Sequence, residues 1–204
     1  MYDYESGLTS AQIVSITDKV LAPPNYKGET SFSMPDQIVN FCINQYGLAN
    51  DAVQVLDPMC GLGTIPRVIN SQGGHCIGIE IDESRFNAAL SVSHPERIQQ
   101  GDFLQVELPE GSFDCIFTSI PFDWFKDNSI HVNSEYAKKI KSLLTDEGFV
   151  LLDSVPLVER SGLQWPVGLR QCAYLEKNGF SLVEIIKFHN DSEGESIIMK
   201  FIPN

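Results

Sequence analysis

The chain has 204 residues, 43% hydrophobic and 20% charged, with a formal net charge of −13. That length holds one domain with a substantial core and leaves little room for a second. The acidity repels nucleic-acid phosphates at long range, so a nucleic-acid substrate would need a local basic patch, a dimer or a partner surface.

The opening MYDYESGLTS lacks the basic-then-apolar plan of a signal peptide, and no apolar run approaches membrane-spanning length, so a cytoplasmic protein is expected. Cys42, Cys60, Cys76, Cys115 and Cys172 sit singly in apolar segments without a CxxC pair. They read as reduced thiols, and with four isolated histidines they imply no metal.

Residues 1–32 are mixed in character and read as an N-terminal extension ahead of a single domain over 33–204. SMPDQIVNFCINQYG predicts a helix capped by Ser33, with Ile38, Phe41, Cys42 and Tyr46 on one face and Gly47 ending it. Next come a strand over 52–56, a glycine-bearing loop, and a helix through TIPRVINS that stops at Gly73-Gly74. A strand over 75–81, a helix ESRFNAALSV, a short strand at RIQQGD and a strand SFDCIFTSI follow. Val132, Tyr136, Ile140, Leu143 and Leu144 mark a helix ending near Gly148, and FVLLDSV reads as a fifth strand. A helix at LRQCAYLEKNGF and a strand pair, LVEIIKF and ESIIMKFI, close the chain. Alternating strands and helices with a terminal hairpin predict a three-layer, Rossmann-like α/β fold: a mostly parallel seven-stranded sheet ending in an antiparallel pair. Ligands bind such sheets at the carboxyl ends of the strands.

VLDPMCGLGTIP lies at one such end. Its glycines let the backbone turn sharply and approach a ligand, and the following helix presents unpaired N–H groups. Asp57 is ill placed for a phosphate and well placed to accept hydrogen bonds from an ammonium. Glu80, ending the next strand, suits a ribose diol. Asp102, after the third strand, can accept from an adenine amine, with Phe103 offering its N–H or a face. Together these strand ends describe a pocket for an adenosine bearing a charged amino acid: S-adenosylmethionine.

DPMCGLGTI resembles the first motif of class I methyltransferases that modify exocyclic amines, over roughly residues 30–155. The resemblance implies that Asp57, Gly61 and Gly63 line the methionine part, Glu80 the ribose and Asp102 the adenine, with Pro58, Thr64 and Phe103 as further cofactor-binding candidates. By the same resemblance Phe32 contributes to the cofactor pocket; otherwise it is a staple at the start of the first helix.

FTSIPFDWF (117–125) occupies the place of the Asp/Asn/Ser-Pro-Pro-aromatic motif of those enzymes. An exocyclic amine is a poor nucleophile, and acceptors for its N–H bonds aim its lone pair at a methyl donor while an aromatic face fixes the ring. Ser119 is then the side-chain acceptor, the Ile120 carbonyl the second acceptor, and Phe122 the stacking face, with Pro121 shaping the turn. Ser first resembles cytosine-N4 DNA methyltransferases, whereas an aliphatic residue before Pro-Phe resembles guanine-N2 RNA methyltransferases. Asp123 and Trp124 are further substrate candidates, and Trp124 and Phe125 are also plausible loop anchors. Lys126, Lys138, Lys139 and Lys141 form the local basic cluster, as phosphate contacts or as a solvated helix face. Cys60 reads as packing, and Asp153 is a strand-end carboxylate without an assigned role.

The expected function is S-adenosylmethionine-dependent N-methylation of an exocyclic amine in DNA or RNA. Two alternatives stay open: methylation of a small molecule or peptide, and a non-catalytic partner subunit of the same fold.

Overall fold

A computed structural model describes residues 10–15, 34–121, 134–155, 158–160, 163–190 and 194–204. Along the chain run β1 (Ser10–Ser15), α1 (Asp36–Tyr46), β2 (Gln54–Asp57), α2 (Thr64–Ser71), β3 (His75–Glu80), α3 (Glu83–Val92) and β4 (Ile98–Gln100). They are followed by β5 (Phe113–Ser119), α4 (Ser134–Leu143), β6 (Leu144–Ser154), β7 (Val158–Arg160), β8 (Leu163–Trp165), α5 (Val167–Lys177), β9 (Phe180–Asn190) and β10 (Gly194–Pro203).

The main sheet has the order β1-β9-β10-β6-β5-β2-β3-β4. The seven expected strands form it, with β10 antiparallel to both β6 and β9. An eighth, β1, extends the edge parallel to β9, and β7 and β8 pair as a separate antiparallel hairpin. Neither addition was visible in the sequence pattern, because edge and hairpin strands this short carry little periodicity.

Side-chain alternation sorts the core onto the two faces of the sheet. Cys115 and Phe117 of β5 join Val55, Leu151 and the apolar stripes of α1 and α2. Ile116 instead joins Leu56, Val150 and Leu152 beneath α4 and α5. Phe117, Ile116, Leu56 and Ile140 are fully buried, each stabilising the fold by about 2 kcal/mol relative to exposure. All five cysteines are free and buried.

Two boundaries differ from expectation. Helix α1 begins at Asp36 with Pro35 at the cap position, not Ser33, which lies outside the described residues. Helix α4 ends at Leu143 rather than near Gly148. The N–H groups of Gly111 and Ser112 capture the carbonyls of Ser142 and Leu143 at 2.9 Å each, which lets Leu144 pair with Phe113 and start β6 early. Leu144 is buried in either conformation, so apolar spacing alone could not tell helix from strand here.

The order reverses between β2 and β5, which are parallel neighbours although α2, β3, α3 and β4 intervene in sequence. At this switch point the carboxyl ends of the strands open outward.

Candidate active site

A cleft of about 590 Å³ occupies that opening, walled by residues 57–62 and 64–65, the β3 end from Glu80 to Asp82, residues 101–104, Ser119–Pro121 and Tyr136. Asp57, Pro58, Gly61, Thr64, Glu80, Asp102, Phe103, Ser119, Ile120 and Pro121 all line it, as the sequence had grouped them. Gly63 does not. Its φ of +79° caps α2, and a Cβ there would stand 2.9 Å from that of Ala89. This glycine therefore allows α2 and α3 to approach closely, while Gly61, at φ +54° with open space around it, faces the cleft. Phe32, Phe122, Asp123, Trp124, Phe125 and Lys126 lie outside the described residues.

The loop after β2 is tied down by backbone donors. Cys60 N donates to the Ile79 carbonyl at 2.9 Å, and Gly61 N donates to Glu80 Oε2 at 2.8 Å. The other Glu80 oxygen accepts from Asp82 N at 2.7 Å. Each carboxylate oxygen has two lone pairs, so Glu80 retains acceptor capacity toward the cleft while its orientation is fixed. Helix α2 starts at Gly63 without a side-chain cap, which leaves its first N–H groups for an anionic end of a ligand.

Asp57 is 1% exposed, and one of its oxygens accepts from Met59 N at 3.2 Å. Burial pushes its carboxyl well above the ordinary range, partly offset by that bond and reinforced by Glu80 and Asp153. Burial likewise raises Glu80, against the opposing pull of its two backbone donors. Acids so placed favour a cation, and a ligand bearing both ammonium and sulfonium groups matches them. The donor set thus fits S-adenosylmethionine, with Asp57 toward the amino-acid end and Glu80 toward the diol.

Asp102 is exposed, and its Oδ1 caps the local turn by accepting from Leu104 N at 2.9 Å. Phe103 is buried with its ring edge-on to Tyr136, centroids 5.2 Å apart, so it stiffens the wall more than it presents a stacking face. An unanticipated apolar face comes from Ile81, which is 67% exposed within the cleft lining. An isoleucine left in water immediately after a buried strand-end carboxylate was the available sequence signal. Met34, Met59, Arg85 and Leu104 also line the cleft and were not anticipated.

On the opposite wall Ser119 stands beside Asp153, its register partner on β6, and its hydroxyl favours the charged form of that carboxyl. The Ile120 carbonyl already accepts from Gln171 Nε2 at 2.9 Å, and Gln171 is fully buried on α5. That bond fixes the carbonyl and uses one of its two acceptor positions. The expected basic patch is partly consumed by the protein itself. Lys139 Nζ donates to the Phe103 and Val106 carbonyls at 2.6 Å, and Lys141 Nζ to those of Gly179 and Asn204 at 3.2 and 3.1 Å. Lys138 is exposed. Cys60 packs with Ala89 and Ile98, and burial pushes its thiol up, away from a nucleophilic thiolate.

A family model described as "Methyltransferase domain" matches residues 56–152. The protein is a methyltransferase that uses S-adenosylmethionine. Solved methyltransferases share the fold. The glycopeptide N-methyltransferase MtfA complexed with sinefungin, an S-adenosylmethionine analogue, superposes with a TM-score of 0.63 at 12% identity, covering 95% of this methyltransferase and 92% of that chain. A SAM-dependent methyltransferase from Aquifex aeolicus gives a TM-score of 0.59 at 14% identity, over 80% and 89% of the two chains. TrmN from Thermus thermophilus gives 0.60 at 19% identity, over 84% of this methyltransferase and 50% of that chain. No curated protein matches the sequence. Among the described residues of the methyltransferase, no group of three His, Cys, Asp or Glu is placed to hold a metal ion, and no helix is long and apolar enough to cross a membrane.

Proposed function

We propose that this methyltransferase transfers a methyl group to nitrogen, with the exocyclic amine of a nucleic-acid base as its acceptor. The observation that carries the reading is the position of Ser119-Ile120-Pro121: it ends β5 and walls the same cleft as the Asp57–Thr64 loop and Glu80. When bound, S-adenosylmethionine supplies an electrophilic methyl on sulfonium sulfur. Asp57 and Glu80 hold it, and Ser119 and the free acceptor position of the Ile120 carbonyl take the two amine N–H bonds. Those contacts aim the nitrogen lone pair, which is otherwise spread into the ring. Phe122, next in the motif, supplies the stacking face.

A second reading has a specific observation in its favour. The net charge of −13 and the engagement of Lys139 and Lys141 with backbone carbonyls suit a small-molecule or peptide amine better than a phosphate-bearing polymer. The N-methyl acceptor of MtfA, a glycopeptide by its description, belongs to that class. Either acceptor would be methylated in the cytoplasm, alone or with a homodimeric or partner surface supplying positive charge.

Incubation with methyl-labelled S-adenosylmethionine and separate DNA, RNA, peptide and small-molecule extracts decides between them. Label in RNA or DNA, recovered as an N-methylated base, supports the first reading. Label confined to the peptide or small-molecule extract supports the second. Label on carbon or oxygen overturns both.

A further inference from the structure

We propose that Asp153 is a positioning residue for this transfer: its carboxylate holds the Ser119 hydroxyl with the oxygen lone pairs toward the acceptor N–H, and it receives the proton that the acceptor releases. The inference rests on the N-methyl transfer reading above.

Ser119 and Asp153 are paired in register at the carboxyl ends of the parallel strands β5 and β6, so their side chains stand side by side on one face of the sheet. The pairing sets the hydroxyl beside the carboxylate, and an ionised carboxylate can only accept, so a bond between them is one the serine donates. The serine oxygen is thereby left as an acceptor on its cleft side, which selects an N–H donor. Asp153 does not wall the cleft; Ser119 does, so any influence of Asp153 passes through the serine. Asp153 is 8% exposed, and among the described residues its Oδ1 has no hydrogen-bond partner. A carboxylate buried with half its acceptor capacity unused is costly to the fold, which points to a role in the chemistry.

Among the described residues, the titratable groups that feel the Asp153 charge are Asp57 from β2 and the Cys42 thiol from α1. Its pairing partner on β10 is Ile198, which carries none. Burial pushes the Asp153 carboxyl up to about 7, with the Ser119 hydrogen bond pulling the other way. A group in that range exchanges a proton readily near neutral pH.

The step balances simply. The acceptor nitrogen forms its bond to the methyl carbon as the carbon–sulfur bond breaks and the sulfur keeps the electron pair. The nitrogen's proton passes to Ser119 Oγ while the serine's own proton passes to Asp153. After product leaves, Asp153 returns that proton to water.

One test reads Asp153 without any acceptor. In protein labelled with carbon-13 at aspartate carboxyls, Asp153→Asn identifies the Asp153 resonance by its loss. The expected midpoint is near neutral and moves upward in Ser119→Ala, which removes the hydrogen bond that stabilises the charged form. A midpoint in the ordinary carboxylate range, or one unmoved by Ser119→Ala, overturns the proposal. A second arm follows transfer to whichever extract the unsubstituted enzyme labels. Asp153→Asn is expected to lower kcat about a hundredfold and flatten its rise with pH, with KM and cofactor affinity little changed. Unchanged kcat with an unchanged pH profile overturns the proposal and leaves the N-methyl reading standing. Absence of label in every extract overturns both.

Discussion

The two walls of the cleft are built differently. The cofactor wall, from Asp57 through Thr64, is held by main-chain donors: Cys60 N on Ile79, Gly61 N on Glu80 and Asp82 N on Glu80. The acceptor wall depends on side chains from later elements: Gln171 bonds the Ile120 carbonyl, and Asp153 stands beside Ser119 in register. Main-chain bonds between a loop and its neighbouring strand survive most substitutions, so the first wall has few weak points beyond its acids and Gly63. Each support of the second wall is one replaceable side chain, and acceptor specificity can drift while cofactor binding stays fixed.

The sharpest way to break this contrast is Asp57→Ala. Truncating a buried acid that faces a bound cation is expected to weaken S-adenosylmethionine binding about a thousandfold, near 4 kcal/mol, in calorimetric titration. The folded chain should meanwhile lose little stability, since the burial cost of the acid is removed together with its bond from Met59 N. Retained affinity would show that the main-chain wall binds without its acid.

Next in size is the pH dependence of stability. The Asp153 carboxyl is raised from an ordinary value of 3.8 to about 7, so between those values the folded chain holds a proton that the unfolded chain has released. Stability from this group is therefore highest at low pH and falls as pH rises toward about 7. Asp153→Asn removes that loss. Its Tm should exceed the unsubstituted protein's at pH 8, by an amount worth about 4 kcal/mol, and the gap should narrow to roughly 1.6 kcal/mol at pH 5. Equal Tm differences at the two pH values would mean that Asp153 does not titrate in the fold.

Gln171→Leu tests the other side-chain support. Leaving the buried Ile120 carbonyl unbonded should cost about 1–3 kcal/mol in chemical denaturation and lower methyl transfer, with S-adenosylmethionine affinity preserved. A parallel fall in cofactor affinity would mean that the two walls are one unit.

The smallest effect is expected at Lys139. Its ammonium serves the Phe103 and Val106 carbonyls, so Lys139→Met should cost about 1 kcal/mol of stability. Its effect on acceptor affinity should not vary with salt between 50 and about 200 mM, in contrast to a phosphate contact. A salt-dependent loss would return this lysine to the acceptor site.

Much of this molecule was legible in order: the strand–helix alternation, the acidic strand ends and the glycine loop all follow from local periodicity and local chemistry. Helix α3 and the end of α1 at Gly47, whose φ is +69°, fall where their residues predict. Periodicity is a local property, so it survives in one dimension. It could not separate the roles of the two loop glycines, because Gly63 is required by Ala89, a residue 26 positions away on another helix. Nor could it show that Gln171 reaches the Ile120 carbonyl or that Lys139 turns back onto the chain, since those bonds span 51 and 36 residues. The sequence by itself determined the fold class and which strand ends carry chemistry. Only the tertiary structure decided which polar atoms are already spent and which, like Asp153 Oδ1, are left over, because hydrogen-bond capacity is settled by neighbours distant in sequence.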